Sequence, residues 1–198
     1  LQSPEVQANV AAMSMRNRVL AVALSLSVAG FSAWQASEGE SPVVKQGGVE
    51  LLAPHIPTKG DVPTIGHGST RYEDGTRVTL ADPPITRQRA VELARALHEE
   101  EEQRFRASIP GVELFQEEYD LYVDFTGQYG IGNWRKPKSP RTWLLKGDYI
   151  GACKALLNWR YAAKYDCSTM INGKPNRRCW GVWERQLKRY KQCMAVQP

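Results

Sequence analysis

Residues 57–70, PTKGDVPTIGHGST, combine side chains that can take part in catalysis with three glycines. Thr64 stands directly before Ile-Gly-His-Gly, and Asp61 is the one carboxylate of the segment. Neither a core strand nor a solvated linker needs that combination. A threonine hydroxyl can hold a water molecule, and a carboxylate can accept a proton or stabilise positive charge. We therefore predict that residues 57–70 form one wall of an active site.

The rest of the chain must supply the elements that carry this wall. Apolar residues recur at helical intervals through residues 86–111, where Thr86 can cap the N-terminus, and through residues 115–134, where Gly130 ends the pattern. An Asp-Gly pair at positions 74 and 75 is a hairpin signal. These patterns predict an α+β domain that is mostly helical, with a small β-sheet near residues 62–80.

The last helix is expected over residues 181–194, GVWERQLKRYKQCM, and it is amphipathic. Its apolar face holds Val182, Trp183 and Leu187, and its charged face holds Arg185, Lys188, Arg189 and Lys191. From Arg135 onward the chain has 15 Lys and Arg against three Asp and Glu, whereas the first 134 residues have 11 against 18. This basic C-terminal third predicts attraction to a polyanion, either nucleic acid or an anionic cell envelope.

The four cysteines all lie in the last 46 residues of the chain. No Cys-x-x-Cys or Cys-x-x-His pair occurs, so we expect disulfides in an oxidising compartment and no metal site. Three pairings are possible. The polar, turn-rich loop between Cys167 and Cys179 favours a bond between these two, which leaves Cys153 with Cys193.

The N-terminal part contains 19 uncharged residues, 19–37, after the basic residues Arg16 and Arg18. That length just crosses a bilayer, and the basic flank would stay cytoplasmic. Ten of the 19 are Ala, Ser or Gly, which makes insertion weak. We predict an upstream extension at 1–14, a signal-anchor helix at 15–37 and the domain at 38–198. A signal peptide cleaved after Ala29 is the alternative.

Several motifs together resemble the phage-type lysozymes, the family 24 glycoside hydrolases. They are Glu-Gly at 38–39, TIGHG at 64–68, GQYGIGNW at 127–134 and GVWERQLKRY at 181–190. The weakly apolar N-terminal segment is similar to the signal-anchor-release segments of some members. The resemblance covers about residues 36–194 and implies a lysozyme-like fold with no cofactor.

The resemblance also implies site residues. The family's catalytic glutamate falls on Glu38 and its threonine on Thr64. The family's usual aspartate, six residues before that threonine, is replaced here by Thr58. Cleaving a glycosidic bond needs an acid on the leaving oxygen and a second group on the opposite face of the sugar. Asp61 and the Thr58 hydroxyl are the candidates for that second group.

Other site assignments stay open at this point. About ten extra residues follow Glu38 relative to the family pattern, so Glu40 and Glu50 are alternative acids. His67 and Gln128 stand in two of the motifs and are expected substrate-binding residues.

The implied function is hydrolysis of the β-1,4 bond between N-acetylmuramic acid and N-acetylglucosamine in peptidoglycan. The expected enzyme is a monomer, exported, tethered to the host inner membrane and then periplasmic. The basic C-terminal region would contact the anionic envelope. Two other classes compete with this hypothesis, a non-catalytic peptidoglycan-binding protein and a membrane-anchored nucleic-acid binder. The last is disfavoured because the aromatic residues form no recognisable stacking or zinc motif.

Overall fold

The structure, a computed structural model, describes residues 17–198, so the extension predicted at 1–14 and Arg16 lie outside the described residues. The chain divides into two compact units. The first is Val28–Arg104, which we call the loop unit. Among the described residues, the second consists of 17–27 with Phe105–Pro198, and we call it the aromatic unit.

Short helices and two-stranded pairings build both units, which confirms the predicted mostly helical α+β class. In chain order the elements are β1 (Val19–Leu20), a 3₁₀ turn (Ala21–Ala23), α1 (Val28–Glu38), β2 (Val43–Gln46), β3 (Val49–Leu52), α2 (Arg87–Ser108), β4 (Glu113–Leu114), α3 (Gln116–Tyr129), α4 (Ile131–Trp134), α5 (Pro140–Leu144), α6 (Tyr149–Ala155), a 3₁₀ turn (Leu156–Asn158), β5 (Tyr161–Ala162), β6 (Tyr165–Asp166), β7 (Met170–Ile171), β8 (Lys174–Pro175) and α7 (Trp180–Ala195).

The loop unit contains a hairpin that the sequence analysis missed. Strands β2 and β3 pair antiparallel across Gly47 and Gly48, which both adopt positive φ. A Gly-Gly pair between two apolar runs is a known hairpin signal, and here the hairpin lies between Glu38 and Thr64. The small sheet predicted near residues 62–80 does not form there, because those residues make only isolated bridges and a turn at Asp74-Gly75.

Helix α2 matches its prediction closely. It begins at Arg87 after Thr86, whose hydroxyl accepts a hydrogen bond from the Arg89 N–H at 3.1 Å. This is the capping contact expected of a threonine at that position. The small core of the loop unit packs Leu93 of α2 against Ile65 and Val78.

The aromatic unit has a larger core. Five aromatic side chains are completely buried there: Phe105, Tyr119, Tyr122, Phe125 and Trp134. The Trp134 ring lies 5.2 Å from Phe105 and 5.6 Å from Tyr122, measured between centroids. The Trp134 indole N–H donates to the Ser108 hydroxyl at 2.8 Å, so the buried polar group is satisfied.

The single apolar helix predicted before the domain does not form over residues 19–37. That stretch is divided into β1, a 3₁₀ turn and the separate helix α1, because polar partners occur along it. Strand β1 pairs with β4, and the Ser27 backbone N–H and hydroxyl donate to the Asp120 carboxylate. Within residues 17–198, no helix combines the length and the apolar character that crossing a bilayer requires.

Arg18 anchors the same segment in the aromatic unit. Its guanidinium donates two hydrogen bonds of 2.9 Å to the Glu118 carboxylate, whose side chain has no exposed surface. The guanidinium also stacks 3.6 Å from the Tyr149 ring centroid. Ala21 is buried in the aromatic core. Residues 18–27 are therefore a structural part of this unit.

Both predicted disulfides are present, Cys153–Cys193 and Cys167–Cys179. The second closes residues 167–179, which contain the β7–β8 hairpin, and the β5–β6 hairpin directly precedes that loop in the segment Arg160–Cys179. The β5–β6 turn places Ala163 and Lys164 at positive φ. The segment exposes Tyr161, Tyr165, Met170 and Ile171.

The face predicted for the last helix is wrong at one residue. Arg189 was expected to face solvent, but it is buried beside Gln186 and Cys193. Its guanidinium bonds the Asp124 carboxylate, with Nε 2.8 Å from Oδ2. A buried arginine needs such a partner, and sequence periodicity does not reveal a partner on another helix.

Candidate active site

Glu38 is the last residue of α1 and its side chain is exposed. Its Oε2 lies only 3.4 Å from the position that a Cβ atom at Gly68 would occupy, so the acid directly faces the TIGHG turn. No ion pair of Glu38 with another described residue is found. In contrast, Glu40 and Glu50 both pair with Arg87, at 3.2 and 2.9 Å. This geometry favours Glu38 as the available carboxyl group, although its catalytic role stays a prediction.

Thr64 is fixed by its backbone. Its N–H donates to the His55 carbonyl at 2.8 Å and its C=O accepts from the His55 N–H at 2.9 Å. The Thr64 hydroxyl lies 3.5 Å from the same His55 carbonyl, too far for a strong hydrogen bond. The hydroxyl is therefore held in a defined place while keeping capacity for a water molecule or a substrate.

The turn after Thr64 is equally constrained. Ile65 and Ser69 exchange two backbone hydrogen bonds, at 2.9 and 3.1 Å, around Gly66, His67 and Gly68. Both glycines have positive φ. A Cβ at Gly66 would lie 2.8 Å from the Ala90 Cβ of α2, so the turn packs directly on that helix. Gly66 and Gly68 therefore serve the backbone geometry of this turn.

Thr58 and Asp61, the two candidates for the second catalytic group, lie in one exposed turn. The Asp61 N–H donates to the Thr58 carbonyl at 2.9 Å. This turn connects His55 to Thr64, the two residues of the backbone bridge. The structure therefore brings both candidates into the loop that ends at Thr64. Which of them acts stays a prediction.

His67 is buried, with 3% of its surface exposed, and both of its ring nitrogens are occupied. Nδ1 lies 2.8 Å from the Gly39 carbonyl oxygen, and Nε2 lies 2.9 Å from the Gln35 side-chain nitrogen. These contacts connect the TIGHG turn to the end of α1. The predicted substrate-binding role of His67 stays a prediction.

Aromatic packing fixes α1 on α2 within the loop unit. The Trp34 and His98 rings meet edge-on with centroids 4.1 Å apart, and Phe31 packs against the same histidine. The Arg95 guanidinium stacks 4.0 Å from the Phe31 ring centroid. Burial lowers the pKa of His98, and the nearby positive charge of Arg95 lowers this pKa further. The ring is therefore neutral where it supports the helix that ends at Glu38.

The Glu101 carboxyl group, on α2, interacts electrostatically with the Glu38 carboxyl group. Desolvation raises the pKa of Glu101, Glu100 and Glu38 raise it further, and Arg104 and Arg71 oppose the shift. No group of three or more His, Cys, Asp or Glu side chains within residues 17–198 is arranged to hold a metal ion.

Gln128 belongs to the aromatic unit, unlike the other predicted site residues. Its side-chain oxygen accepts a hydrogen bond from Arg189 at 2.6 Å. The Gln128 amide also has an NH2 group with two N–H donors, which this contact does not use. The residue is exposed. Its substrate-binding role stays a prediction.

Comparison with known proteins decides the family. The sequence profile named Phage lysozyme matches residues 45–180. This chain belongs to the phage lysozyme family. The matched range contains Thr58, Asp61, Thr64 and Gln128, and it begins seven residues after Glu38. The assignment of Glu38 therefore depends on the geometry at Gly68 and on the Glu-Gly motif.

Solved structures share the fold of this phage lysozyme family member. An endolysin from Escherichia coli O157:H7 phage FAHEc1 is 22% identical, covers 89% of this chain and 98% of its own, and has a TM-score of 0.63. A point mutant of P22 lysozyme is 23% identical to this chain. It covers 86% of this chain and 99% of its own, with a TM-score of 0.59. The active form of P1 phage endolysin Lyz is 16% identical to this chain. It covers 98% of this chain and 95% of its own, with a TM-score of 0.60. No curated protein sequence matches the chain.

Family membership implies glycoside hydrolase activity of the lysozyme type, with peptidoglycan as the substrate class. The sequence analysis missed the partner of His67, Gln35, because the residue lies within an apolar stretch and belongs to no motif. It also missed the neighbourhood of Glu101. The buried acid of the run Glu99–Glu102 is Glu102, which is 4% exposed, and only the spacing of charged residues along α2 could have suggested its burial.

Proposed function

We propose that the protein hydrolyses the β-1,4 bond between N-acetylmuramic acid and N-acetylglucosamine, and thereby lyses its host. The observation that supports this proposal best is the approach of the Glu38 carboxyl group to Gly68, within the turn that follows Thr64. This places a proton donor next to a loop that carries hydroxyl and carboxyl groups. It is the arrangement that glycosidic bond cleavage requires.

In this mechanism Glu38 protonates the leaving glycosidic oxygen. Thr64 holds a water molecule or a sugar hydroxyl through a side chain that its backbone bridge keeps in place. The second group stabilises the positively charged sugar carbon or orients the attacking water from the other face. If Asp61 has this role, Asp61→Asn reduces kcat far more than Thr58→Val. The reverse ranking assigns the role to the Thr58 hydroxyl.

The decisive experiment is digestion of purified peptidoglycan followed by borohydride reduction and mass spectrometry of the products. Cleavage after N-acetylmuramic acid gives products that end in N-acetylmuramitol. Glu38→Gln should lower the rate by on the order of 10²-fold or more. Glu40→Gln and Glu50→Gln are matched controls and should retain activity, because both carboxylates are paired with Arg87. Products ending in N-acetylglucosaminitol would contradict the bond assignment.

The non-catalytic alternative predicts a different result in the same experiment. Because Thr58 stands where the family usually has an aspartate, the chain could bind peptidoglycan without cutting it. Wild-type protein would then sediment with peptidoglycan but release no reducing ends. If reducing ends are released and their release depends on Glu38, the non-catalytic alternative is excluded.

We further propose that residues 19–37 tether the exported protein to the inner membrane without cleavage, before periplasmic release. Contacts in the aromatic unit support retention of the segment, since a chain cut after Ala29 would lose Arg18. The Glu118 carboxylate, which has no exposed surface, would then lack its cation. Breaking a buried ion pair in this way costs about 3–5 kcal/mol.

The folded structure indicates which substitutions test the tether. Ser25 and Ala29 are exposed, so leucine at both sites should spare the folded domain. On a membrane scale each change should strengthen insertion by several tenths of a kcal/mol or more. We expect Ser25→Leu/Ala29→Leu protein to stay in the membrane fraction and not to lyse. The matched control, Ser25→Thr/Ala29→Ser, should be released. Mature protein that begins at Gly30 would contradict the proposal.

A contact with the anionic envelope is proposed for the basic C-terminal region. The segment Arg160–Cys179 supports it, because exposed Met170 and Ile171 lie beside the exposed cations Lys174 and Arg177. Binding to phosphatidylglycerol vesicles should weaken in salt and in Lys174→Gln/Arg177→Gln. Binding to DNA under the same conditions would instead favour the nucleic-acid alternative. We propose a monomer, which light scattering can check.

A further inference from the structure

The TIGHG turn and helix α1 are joined by one side chain, His67. Its ring reaches the Gly39 carbonyl, one residue after Glu38, and the Gln35 amide, one turn before the end of α1. A histidine with 3% exposure that bonds both sides of a helix terminus is in a position to set the orientation of that terminus. No other described side chain is recorded bonding both Gln35 and Gly39.

The hydrogen-bond partners define the tautomer of His67. The Gly39 carbonyl can only accept, so Nδ1 must carry the proton. Nε2 then has a lone pair, and it accepts from the N–H of the Gln35 amide. The two contacts are consistent with one neutral ring. Neither nitrogen is left to bind a sugar.

Two neighbouring contacts show what the ring holds in place. The Ser41 N–H donates to the Gly66 carbonyl at 2.9 Å, which joins the chain after Glu38 to the residue before His67. Gly68 also faces the Glu38 carboxyl group, because a Cβ atom at Gly68 would lie 3.4 Å from Glu38 Oε2. Glu38 therefore lies between two residues of its own chain, Gln35 and Gly39, that are attached to the turn through His67.

We propose that His67 is a positioning residue that sets the direction of the Glu38 carboxyl group through Gly39 and Gln35. The inference rests on the proposed hydrolysis by Glu38. Its contribution belongs to kcat, because a displaced acid reduces proton transfer in the transition state without changing the surface that binds the sugar chain. A substrate-binding histidine would contribute to KM instead.

Two substitutions separate the ring's contacts. The amide nitrogen of asparagine can replace Nδ1, so His67→Asn keeps a donor for the Gly39 carbonyl. In His67→Gln the amide lies nearer to the Nε2 position, so that donor is lost. With soluble peptidoglycan fragments, we expect His67→Gln to lower kcat by about 10-fold or more with unchanged KM. His67→Asn should retain most of kcat.

The control variant is Gln35→Met, which leaves His67 bonded to Gly39 and removes only the second contact. It should give an intermediate kcat. Equal losses in His67→Asn and His67→Gln, or a rise in KM with unchanged kcat, would overturn the proposal. Circular dichroism melting of each variant identifies any loss that arises from unfolding.

A measurement on the wild type keeps the proposal testable even where a variant fails to fold. A ¹⁵N–¹H spectrum of histidine-labelled protein should show a slowly exchanging proton on Nδ1 of His67. A proton on Nε2 alone would overturn the proposal. A failure of the proposed hydrolysis looks different from a failure of the positioning role. In that case wild-type protein would release no reducing ends from peptidoglycan, but the Nδ1 proton of His67 would still be observed.

Discussion

The two units of this lysozyme family member are stabilised in different ways. The aromatic unit packs five fully buried aromatic side chains and contains both disulfides. The buried apolar cluster of the loop unit has three members, Ile65, Val78 and Leu93, and Phe31 and Leu52 are buried outside this cluster. Its turn at residues 64–69 is held mainly by backbone hydrogen bonds and close glycine packing.

This difference indicates how the chain combines stability with chemistry. Five of the six predicted catalytic and substrate-binding residues lie in the loop unit, and Gln128 is the exception. Apolar packing tolerates few polar side chains, whereas a backbone-bonded loop can present hydroxyl and carboxyl groups to solvent. We expect the loop unit to exchange its amide hydrogens faster than the aromatic unit.

The largest expected effect is the loss of Trp134. Because the ring is fully buried among Phe105, Tyr122 and Phe125, Trp134→Ala should lower the free energy of unfolding by about 3–5 kcal/mol. Urea denaturation measures the change. The matched control is Trp143→Ala, in the same unit but 37% exposed, which should cost much less. Equal costs would show that the aromatic cluster is not the stabilising core.

Removing the disulfides one at a time measures how much each bond contributes to the stability of the aromatic unit. The Cys153–Cys193 bond spans 40 residues and Cys167–Cys179 spans 12. Loop-closure entropy predicts losses of about 4 and about 3 kcal/mol for the two Cys→Ala double variants. Thermal unfolding without reductant should rank them in that order. The opposite ranking would mean that native packing, not chain entropy, determines their contributions.

The pH dependence of stability should identify His98, one of the two buried histidines of the loop unit. Since burial lowers the pKa of His98, the unfolded state takes up a proton first as the pH falls. The stabilisation is complete above the unfolded pKa of about 6.5 and decreases as the pH falls below it.

Urea titrations between neutral and mildly acidic pH check this dependence. His98→Leu should flatten the pH dependence in that window, and Arg95→Met should reduce it partly, because desolvation is the main cause of the shift. An unchanged slope in His98→Leu would assign the effect to other groups.

The smallest effect should be a gain in stability. Lys164 has φ of +70° in the two-residue turn between β5 and β6, a conformation that glycine adopts without strain. Lys164→Gly should therefore stabilise the protein by about 0.5–1 kcal/mol, measured by urea denaturation. Ala162→Gly, on the adjacent strand, is the control and should destabilise it. A loss in Lys164→Gly would show that the lysine side chain makes a compensating contact.

The elements that the sequence predicted correctly each had a local signal. Thr86 and the apolar spacing after it placed α2, and the polar loop between Cys167 and Cys179 indicated their disulfide. The Gly47-Gly48 hairpin had a local signal that was overlooked.

Long-range partners explain the failures. The burial of Arg189 depends on Asp124, which lies 65 residues earlier in the chain. The contact of His67 with Gln35 joins residues separated by 32 positions. The apolar segment 19–37 satisfied a membrane pattern, yet its folded form depends on Glu118 and Asp120. The type of a residue and its neighbours in sequence indicate whether it tends to be buried. Its actual position in the fold also depends on partners that are distant in sequence.

The close approach of Gly66 to Ala90 has a consequence for natural variation in this fold. A methyl group added at position 66 would lie 2.8 Å from the Ala90 Cβ. The two positions therefore share a fixed volume, and a homologue with a larger residue at 90 must move the whole turn away from α2. Such a homologue would also shift Gly68 relative to Glu38. We expect the residue types at 66 and 90 to co-vary, and designers who repack α2 should treat them as one site.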